Sequence, residues 1–219
     1  TTAWPMFRGG QARTGTTGDC GRPPTAEPSV LWEFETGGKI KSSPAVVDGV
    51  VFIGSTDGMV YAADATEGTK LWEYNTRDRI RSSPAVVDGT VYVGSDKGWV
   101  YAIDATTGTR QWNFFAKNTV ESSPAVVDDT VYVGVSGGAI PKGRHSSLYA
   151  LDAADGTEQW VFKGVDRIKS SPAVVNDTVY VGSDNGSLYA INSTEGDQQW
   201  EFQTGKSVTS SPVVRGRVV

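Results

Sequence analysis

One hexapeptide, Ser-Ser-Pro-Ala-Val-Val, constrains the fold of this chain more than any other feature. It starts at Ser42, Ser82, Ser122 and Ser170, and a shortened form, Ser-Ser-Pro-Val-Val, starts at Ser210. The intervals are 40, 40, 48 and 40 residues. Tryptophans keep the same clock at Trp32, Trp72, Trp112, Trp160 and Trp200. A sequence that returns at such a period is built from stacked copies of one supersecondary unit, each burying its apolar surface against its neighbours.

The first copy shows what the unit is. SSPAVV (42–47) reads as a short apolar strand, and Asp48-Gly49 as a two-residue hairpin turn with positive φ. VVFIGS (50–55) is a second strand, Thr56-Asp57-Gly58 a turn, and MVYAAD (59–64) a third strand. Ala65 to Gly68 turn again, and TKLWEYNT (69–76) is the fourth strand. Four short antiparallel strands in about 40 residues make one propeller blade. The expected fold is therefore all-β, a β-propeller of four-stranded antiparallel blades with four full repeats at about 30–72, 73–112, 113–160 and 161–200 and a partial one at 201–219. The small residues of SSPAVV suit the crowded axis, and the tryptophan strand suits the rim. Residues 1–29 lack a periodic pattern and read as an N-terminal arm anchored by Trp4, Met6 and Phe7. Residues 30–37 read as an outer strand, and the C-terminal end as the first two strands of a fifth unit. The third strand of that unit is missing, which leaves a piece of a larger propeller, a five-bladed ring with one defective blade, or self-association to complete the ring.

Composition narrows the function classes. The net charge of −5 argues against nucleic acid as a main partner. No apolar run reaches the roughly 18 residues of a membrane-spanning helix. The single cysteine, Cys20, rules out an internal disulfide framework and a thiolate metal cluster. The chain opens at Thr1 with no apolar leader, as expected if a signal was removed or the chain was trimmed.

The segment Tyr-Ala-x-Asp-Ala-x-x-Gly-x-x-x-Trp stands as YAADATEGTKLW (61–72), YAIDATTGTRQW (101–112) and YALDAADGTEQW (149–160), and with Asn192 for the Asp as YAINSTEGDQQW (189–200). It resembles the tryptophan-docking motif of the pyrroloquinoline-quinone (PQQ)-type propellers, a family that includes quinoprotein alcohol dehydrogenases and BamB-like assembly scaffolds. Trp4-Pro5-Met6-Phe7-Arg8-Gly9 and Arg13-Thr14-Gly15 are similar to the segment before the first blade of such proteins. The resemblance implies structural docking roles for Trp72, Trp112, Trp160 and Trp200, for Asp64, Asp104 and Asp152, and for Gly68, Gly108 and Gly156. The physics agrees. The Asp can accept turn N–H groups, the Gly permits positive φ, and the Trp fills the space between blades.

The repeats differ most at one end of the blades. Lys39 and Lys41, Arg79 and Arg81, Thr119 and Glu121, Arg167 and Lys169, and Ser207 and Thr209 precede each Ser-Ser-Pro. Residues two apart on an extended strand share a side. Lys41, Arg81, Glu121 and Lys169 thus ring the mouth of the axis, either as a funnel for an anion or as solvated charges opposing Asp78, Asp166 and Glu121. The third repeat is eight residues longer between its second and third strands, and this loop adds Lys142, Arg144 and the only histidine, His145, to the same end. Trp99 stands off the tryptophan clock beside it.

A dehydrogenase of the resembled family would need a quinone, a calcium-type cation and a catalytic Asp, and many carry two adjacent cysteines. No Cys-Cys pair, paired-carboxylate site, metal-ligand cluster or nucleophile motif is visible, so neither a catalytic residue nor a metal ligand is assigned. The expectation is a non-catalytic binding or assembly scaffold of the BamB-like sort, with a protein or peptide partner, outside the cytoplasm and without a cofactor. The alternatives are a portion of a PQQ-dependent dehydrogenase binding PQQ with calcium, and a sensor domain of a longer signalling protein.

Overall fold

The computed structural model describes residues 29–137, 146–215 and 218–219. The described chain is all-β and forms four sheets of four antiparallel strands, each a meander in chain order. The first blade is β1 (Ala45–Val47), β2 (Val50–Gly54), β3 (Met59–Asp64) and β4 (Lys70–Asn75). The second is β5 (Ala85–Val87), β6 (Thr90–Gly94), β7 (Trp99–Asp104) and β8 (Arg110–Phe115). The third is β9 (Ala125–Val127), β10 (Thr130–Val135), β11 (Ser146–Asp152) and β12 (Glu158–Val165). The fourth is β13 (Ala173–Val175), β14 (Thr178–Gly182), β15 (Ser187–Asn192) and β16 (Gln198–Gln203). The Ala-Val-Val strands approach one another from blade to blade and so line the axis. The tryptophan strands form the rim, as the repeat pattern implies.

Turn chemistry sets the blades. Asp48 and Gly49 have φ of 49° and 77°, and Asp128-Asp129 and Asn176-Asp177 repeat this left-handed pair, which matches the right-handed twist of the strands they join. At the rim, Asp64 Oδ1 accepts the N–H groups of Thr66 and Glu67, and Asn192 Oδ1 accepts those of Thr194 and Glu195. An amide oxygen does this as well as a carboxylate, which accounts for the exchange in the fourth repeat.

The paired serines have two distinct tasks. The first pins the hairpin: Ser82 Oγ donates to Gly94 O at 3.1 Å and accepts from Gly94 N at 2.7 Å, and Ser42, Ser122 and Ser170 do the same to Gly54, Gly134 and Gly182. The second links blades: Ser43 N–H donates to Ser83 Oγ, Ser83 to Ser123, Ser123 to Ser171 and Ser171 to Ser211, at 2.8 to 3.0 Å. The glycine that the first serine grips also has to be a glycine, because a Cβ at Gly94 would stand 2.3 Å from Val120 Cγ1 of the next link.

Between blades lie three apolar clusters, one per interface. Phe52, Val60 and Ile80 meet Val91, Val93 and Ile103; Val100 and Trp112 meet Val131 and Leu151; Leu148, Trp160 and Ile168 meet Val179 and Ile191. Each fully buried Val, Leu or Ile contributes about 1.5–3 kcal/mol. The indoles close the rim. Trp32, Trp72, Trp112 and Trp160 donate Nε1–H to the carbonyls of Ala65, Ala105, Ala153 and Ser193 on the following blade, at 2.8 to 3.0 Å. Each ring lies on the glycine of that turn, so a Cβ at Gly108 would meet Trp72 Cδ2 at 2.8 Å.

The ends depart from expectation. Residues 30–37 form no strand, because among the described residues no third strand stands beside them. Trp32 and Phe34 nevertheless dock on the first blade, Phe34 edge-on to Tyr61 at 5.4 Å. Among the described residues of the fifth unit the only strand pairing is one bridge between Arg215 and Val218. Trp200 does not dock: it is 40% exposed, against 7% for Trp112 and 9% for Trp160, because no blade follows β16 among the described residues. Of the arm expected over 1–29, residues 1–28 lie outside the described residues.

Replacing Ser82 by Ala leaves both backbone groups of a buried glycine without their partner. The expected cost is about 1–3 kcal/mol, read as a lower urea midpoint at unchanged slope. Ser82→Thr, which keeps the hydroxyl, should recover part of it.

Candidate functional site

The links that precede the Ser-Ser-Pro segments are tied at one end of the axis. The first four bond to the turn after the second strand of their own blade, through Thr56 N to Lys39 O, Asp96 N to Arg79 O, Ser136 N to Thr119 O and Asp184 N to Arg167 O. The second, third and fifth also bond to the preceding blade, through Ile80 N to Ser55 O, Val120 N to Ser95 O and Val208 N to Ser183 O. Side chains from a link and from two turns therefore converge at the mouth.

Charges there pair by repeat position. Arg81 Nη2 meets Asp96 Oδ2 at 3.2 Å, and Arg81 Nη1 meets Glu121 Oε1 of the next blade at 2.6 Å. Lys169 Nζ meets Asp184 Oδ2 at 3.2 Å, and Ser207 Oγ donates to the other oxygen of Asp184. In the first blade Thr56 stands where Asp96 and Asp184 stand, and among the described residues Lys41 has no carboxylate within ion-pair distance. Arg81 Nε and Asp96 Oδ1 are both buried without a protein partner.

The two equivalent carboxylates are shifted in opposite directions. Burial pushes Asp96 up, and the Arg81 guanidinium offsets only part of this because Asp78 and Glu121 add negative charge. Burial also acts to raise Asp184, but hydrogen bonds from Ser207 and Lys169 and the charges of Lys169 and Arg167 outweigh it and hold the group below 3.8.

A cleft of about 470 Å³ opens between the first two blades at this end. Gly37, Gly38, Lys39, Lys41, Thr56, Asp57, Arg79 and Arg81 line it. Four cations thus face one carboxylate. Asp57 is already committed: Oδ1 accepts Met59 N–H and Oδ2 accepts the Tyr61 hydroxyl at 2.9 Å. Burial and this carboxylate push the Tyr61 phenol up to about 12, so it stays a donor. An adjoining depression of about 510 Å³ carries Arg77, Asp78, Arg79, Asp96 and Lys97. Two further grooves, of about 460 and 670 Å³, lie at the opposite end between neighbouring first hairpins and are lined by Asp128, Asp177 and Tyr132, and by Asp88, Asp129, Asp152 and Tyr92.

The structure brings Lys41 and Arg81 into one cleft with Lys39 and Arg79. It sets Glu121 against Arg81, and it places Lys169 with its own carboxylate away from that cleft. Trp99 packs on Phe115 at 4.8 Å and beside Tyr101, outside the cleft. Arg144 and His145 lie outside the described residues. The carboxylates Asp57, Asp96 and Asp184 were not singled out from the sequence. The signal for two of them was present, since Asp follows the second strand in the repeats that carry Arg81 and Lys169, and Thr56 in the repeat that carries Lys41.

The pattern of the family described as outer membrane protein assembly factor BamB matches residues 26–141 and 143–219. Among solved structures, BamB from Moraxella catarrhalis aligns at 22% identity and TM-score 0.71 over 84% of this chain and 58% of its own. Quinohemoprotein alcohol dehydrogenase from Comamonas testosteroni aligns at 21% and 0.77 over 94% and 42%. A europium-containing methanol dehydrogenase aligns at 18% and 0.77 over 95% and 50%. These likenesses establish the fold, and the chain spans about half the length of the structures it matches. No curated protein matches the chain.

The lowered Asp184 makes its ion pair pH-dependent. Its contribution is complete above the ordinary carboxylate range and is lost as pH falls through the lowered value of the folded state. Asp184→Asn should therefore destabilise the chain at neutral pH and lose that effect in acid, as read by urea midpoints of both proteins across the range.

Proposed function

The chain belongs to the family of the outer membrane protein assembly factor BamB, and from that premise we propose that it is a non-catalytic scaffold holding an acidic segment of a partner protein in the cleft between its first two blades. The observation that carries this reading is the cleft itself, where Lys39, Lys41, Arg79 and Arg81 converge on a space whose one carboxylate is already hydrogen-bonded. Arg79 can take a carboxylate through two parallel bonds, and the lysines act as point charges on either side. The chain carries −5 overall, so attraction is confined to groups that enter within the screening length of about 8–10 Å. A flexible acidic peptide reaches that far, whereas a large uniformly anionic surface does not. Partners of this kind fit an extracytoplasmic assembly role.

The second reading, a portion of a quinone-dependent dehydrogenase, is supported by the alignment of 94% of the chain with the quinohemoprotein alcohol dehydrogenase from Comamonas testosteroni. Among the described residues no three His, Cys, Asp or Glu side chains gather to hold its cation.

A glutamate-rich decapeptide titrated calorimetrically at low salt separates these readings. It should bind, and the charge-reversed variant Lys39→Glu/Lys41→Glu/Arg79→Glu should lose the binding. Asp96→Asn, which releases part of Arg81 from its carboxylates, should tighten it. Equal affinity in the triple variant overturns the scaffold cleft. Calcium-dependent binding of PQQ supports the dehydrogenase reading, whereas PQQ that binds without calcium and is lost in the triple variant is one more carboxylate ligand of the cleft.

A further inference from the structure

The second blade departs from the others at a point that neither the fold nor the cleft accounts for. Trp99 stands on β7 where Met59, Ser147 and Ser187 stand on the third strands of the other blades. Its cross-strand partner is Phe115, where the other blades place Asn75, Lys163 and Gln203. Partners in register share one side of a sheet, and the two rings meet at 4.8 Å. That side faces the first blade. Trp99 packs against the apolar cluster between the first two blades, and Tyr101, 6.4 Å from it, donates its hydroxyl to Thr76 O of the first blade at 3.3 Å. Phe115 is 47% exposed although a blade stands on either side of its own.

This aromatic pair borders the ground of the cationic cleft. The depression of about 510 Å³ shares Thr56, Asp57 and Arg79 with the cleft and adds Arg77 and Lys97, both exposed. Lys97 sits on the turn that Ser95 N–H closes on Trp99 O, and Arg77 follows the Thr76 that Tyr101 reaches. The further carboxylates of the depression are engaged: Asp78 accepts the N–H groups of Arg79 and Lys97, and Asp96 is paired with Arg81. Cleft, depression and aromatic pair thus follow one another along a single seam. At the next two seams Ser147 and Ser187 leave the place of Trp99 polar.

We propose, on the acidic-segment reading of the cleft, that this segment carries an aromatic residue beside its acids. Its ring packs on Phe115 and Trp99, while its carboxylates lie on Arg77, Lys97 and the cations of the cleft. The ring withdraws apolar surface from water, and the flanking charge pairs fix where it lands. A peptide fits this ground better than an anionic bilayer does. Asp57, Asp78 and Asp96 lie among the cations, and a flat anionic surface would meet both signs together, whereas side chains entering a depression meet one group at a time.

Calorimetric titration at low salt with two decapeptides tests it, one glutamate-rich and the other the same peptide with Phe at both ends. The unaltered chain should bind the Phe peptide about two- to tenfold more tightly. Phe115→Asn and Trp99→Met, which install the residues of the first blade at these positions, should each bind the two peptides alike. Phe115→Asn, at an exposed position, keeps the test intact if Trp99→Met fails to fold by circular dichroism. Equal affinity of the unaltered chain for both peptides overturns the proposal and leaves the cleft standing, as does a gain that persists in Phe115→Asn. Failure of both peptides to bind removes the cleft and the proposal together. Pelleting with vesicles of equimolar phosphatidylserine and phosphatidylcholine that is lost in Phe115→Asn, with no gain from the Phe peptide, assigns the pair to a lipid surface and overturns the proposal.

Discussion

The N–H of an outer-strand indole ends on a backbone carbonyl of the following blade, and the same ring lies on the glycine of that blade's turn. This contact joins what a blade can do alone to what it can do only in a stack. A four-stranded meander of these lengths buries little by itself. Its inner faces become core when the next blade supplies Val, Ile and Tyr from the other side, and the indole seals the rim against water. The asymmetry follows: each blade gives a tryptophan forward and offers a turn backward. Stability is then largely a sum over interfaces, and the terminal units differ from the interior ones by construction.

The mouth of the axis obeys a second rule, in which charge at the link is matched by charge at the turn. Arg81 and Lys169 are held by Asp96 and Asp184, while Thr56 leaves Lys41 without such a partner. Positive potential is therefore concentrated between the first two blades rather than spread around the ring. An even ring of cations would have to face the negative charge of the whole chain at every point. A local cluster is a smaller and more selective device.

Much of this was legible in the sequence, because local rules and the global fold agree at the repeat scale. Asp-Gly turns, the period of about 40 and the placement of tryptophan gave strand order and blade architecture, and Asp64 and Asn192 behave as turn acceptors should. The serines were read only as small residues. Their hydrogen bonds connect groups 12 and 40 residues apart, and no local pattern states which hydroxyl meets which backbone group. The site was half legible for a related reason. A basic residue announces its charge, but its neutralising partner comes from another turn, as Asp96 does for Arg81. Residues 30–37 and Trp200 failed in opposite ways: among the described residues the first has strand composition without a neighbour to pair with, and the second has the docking motif without a dock.

The serine bonds around the axis span 40 residues in three cases and 48 in the fourth, where Ser123 still reaches Ser171 at 2.9 Å. The inner wall thus takes no notice of the extra length in the third repeat. Geometry at the axis is uncoupled from the length of the third repeat, so an insertion in that repeat leaves the chain of serine bonds in register. Such a molecule can change what it presents to the outside one turn at a time, with the cost of each trial confined to the loop that carries it.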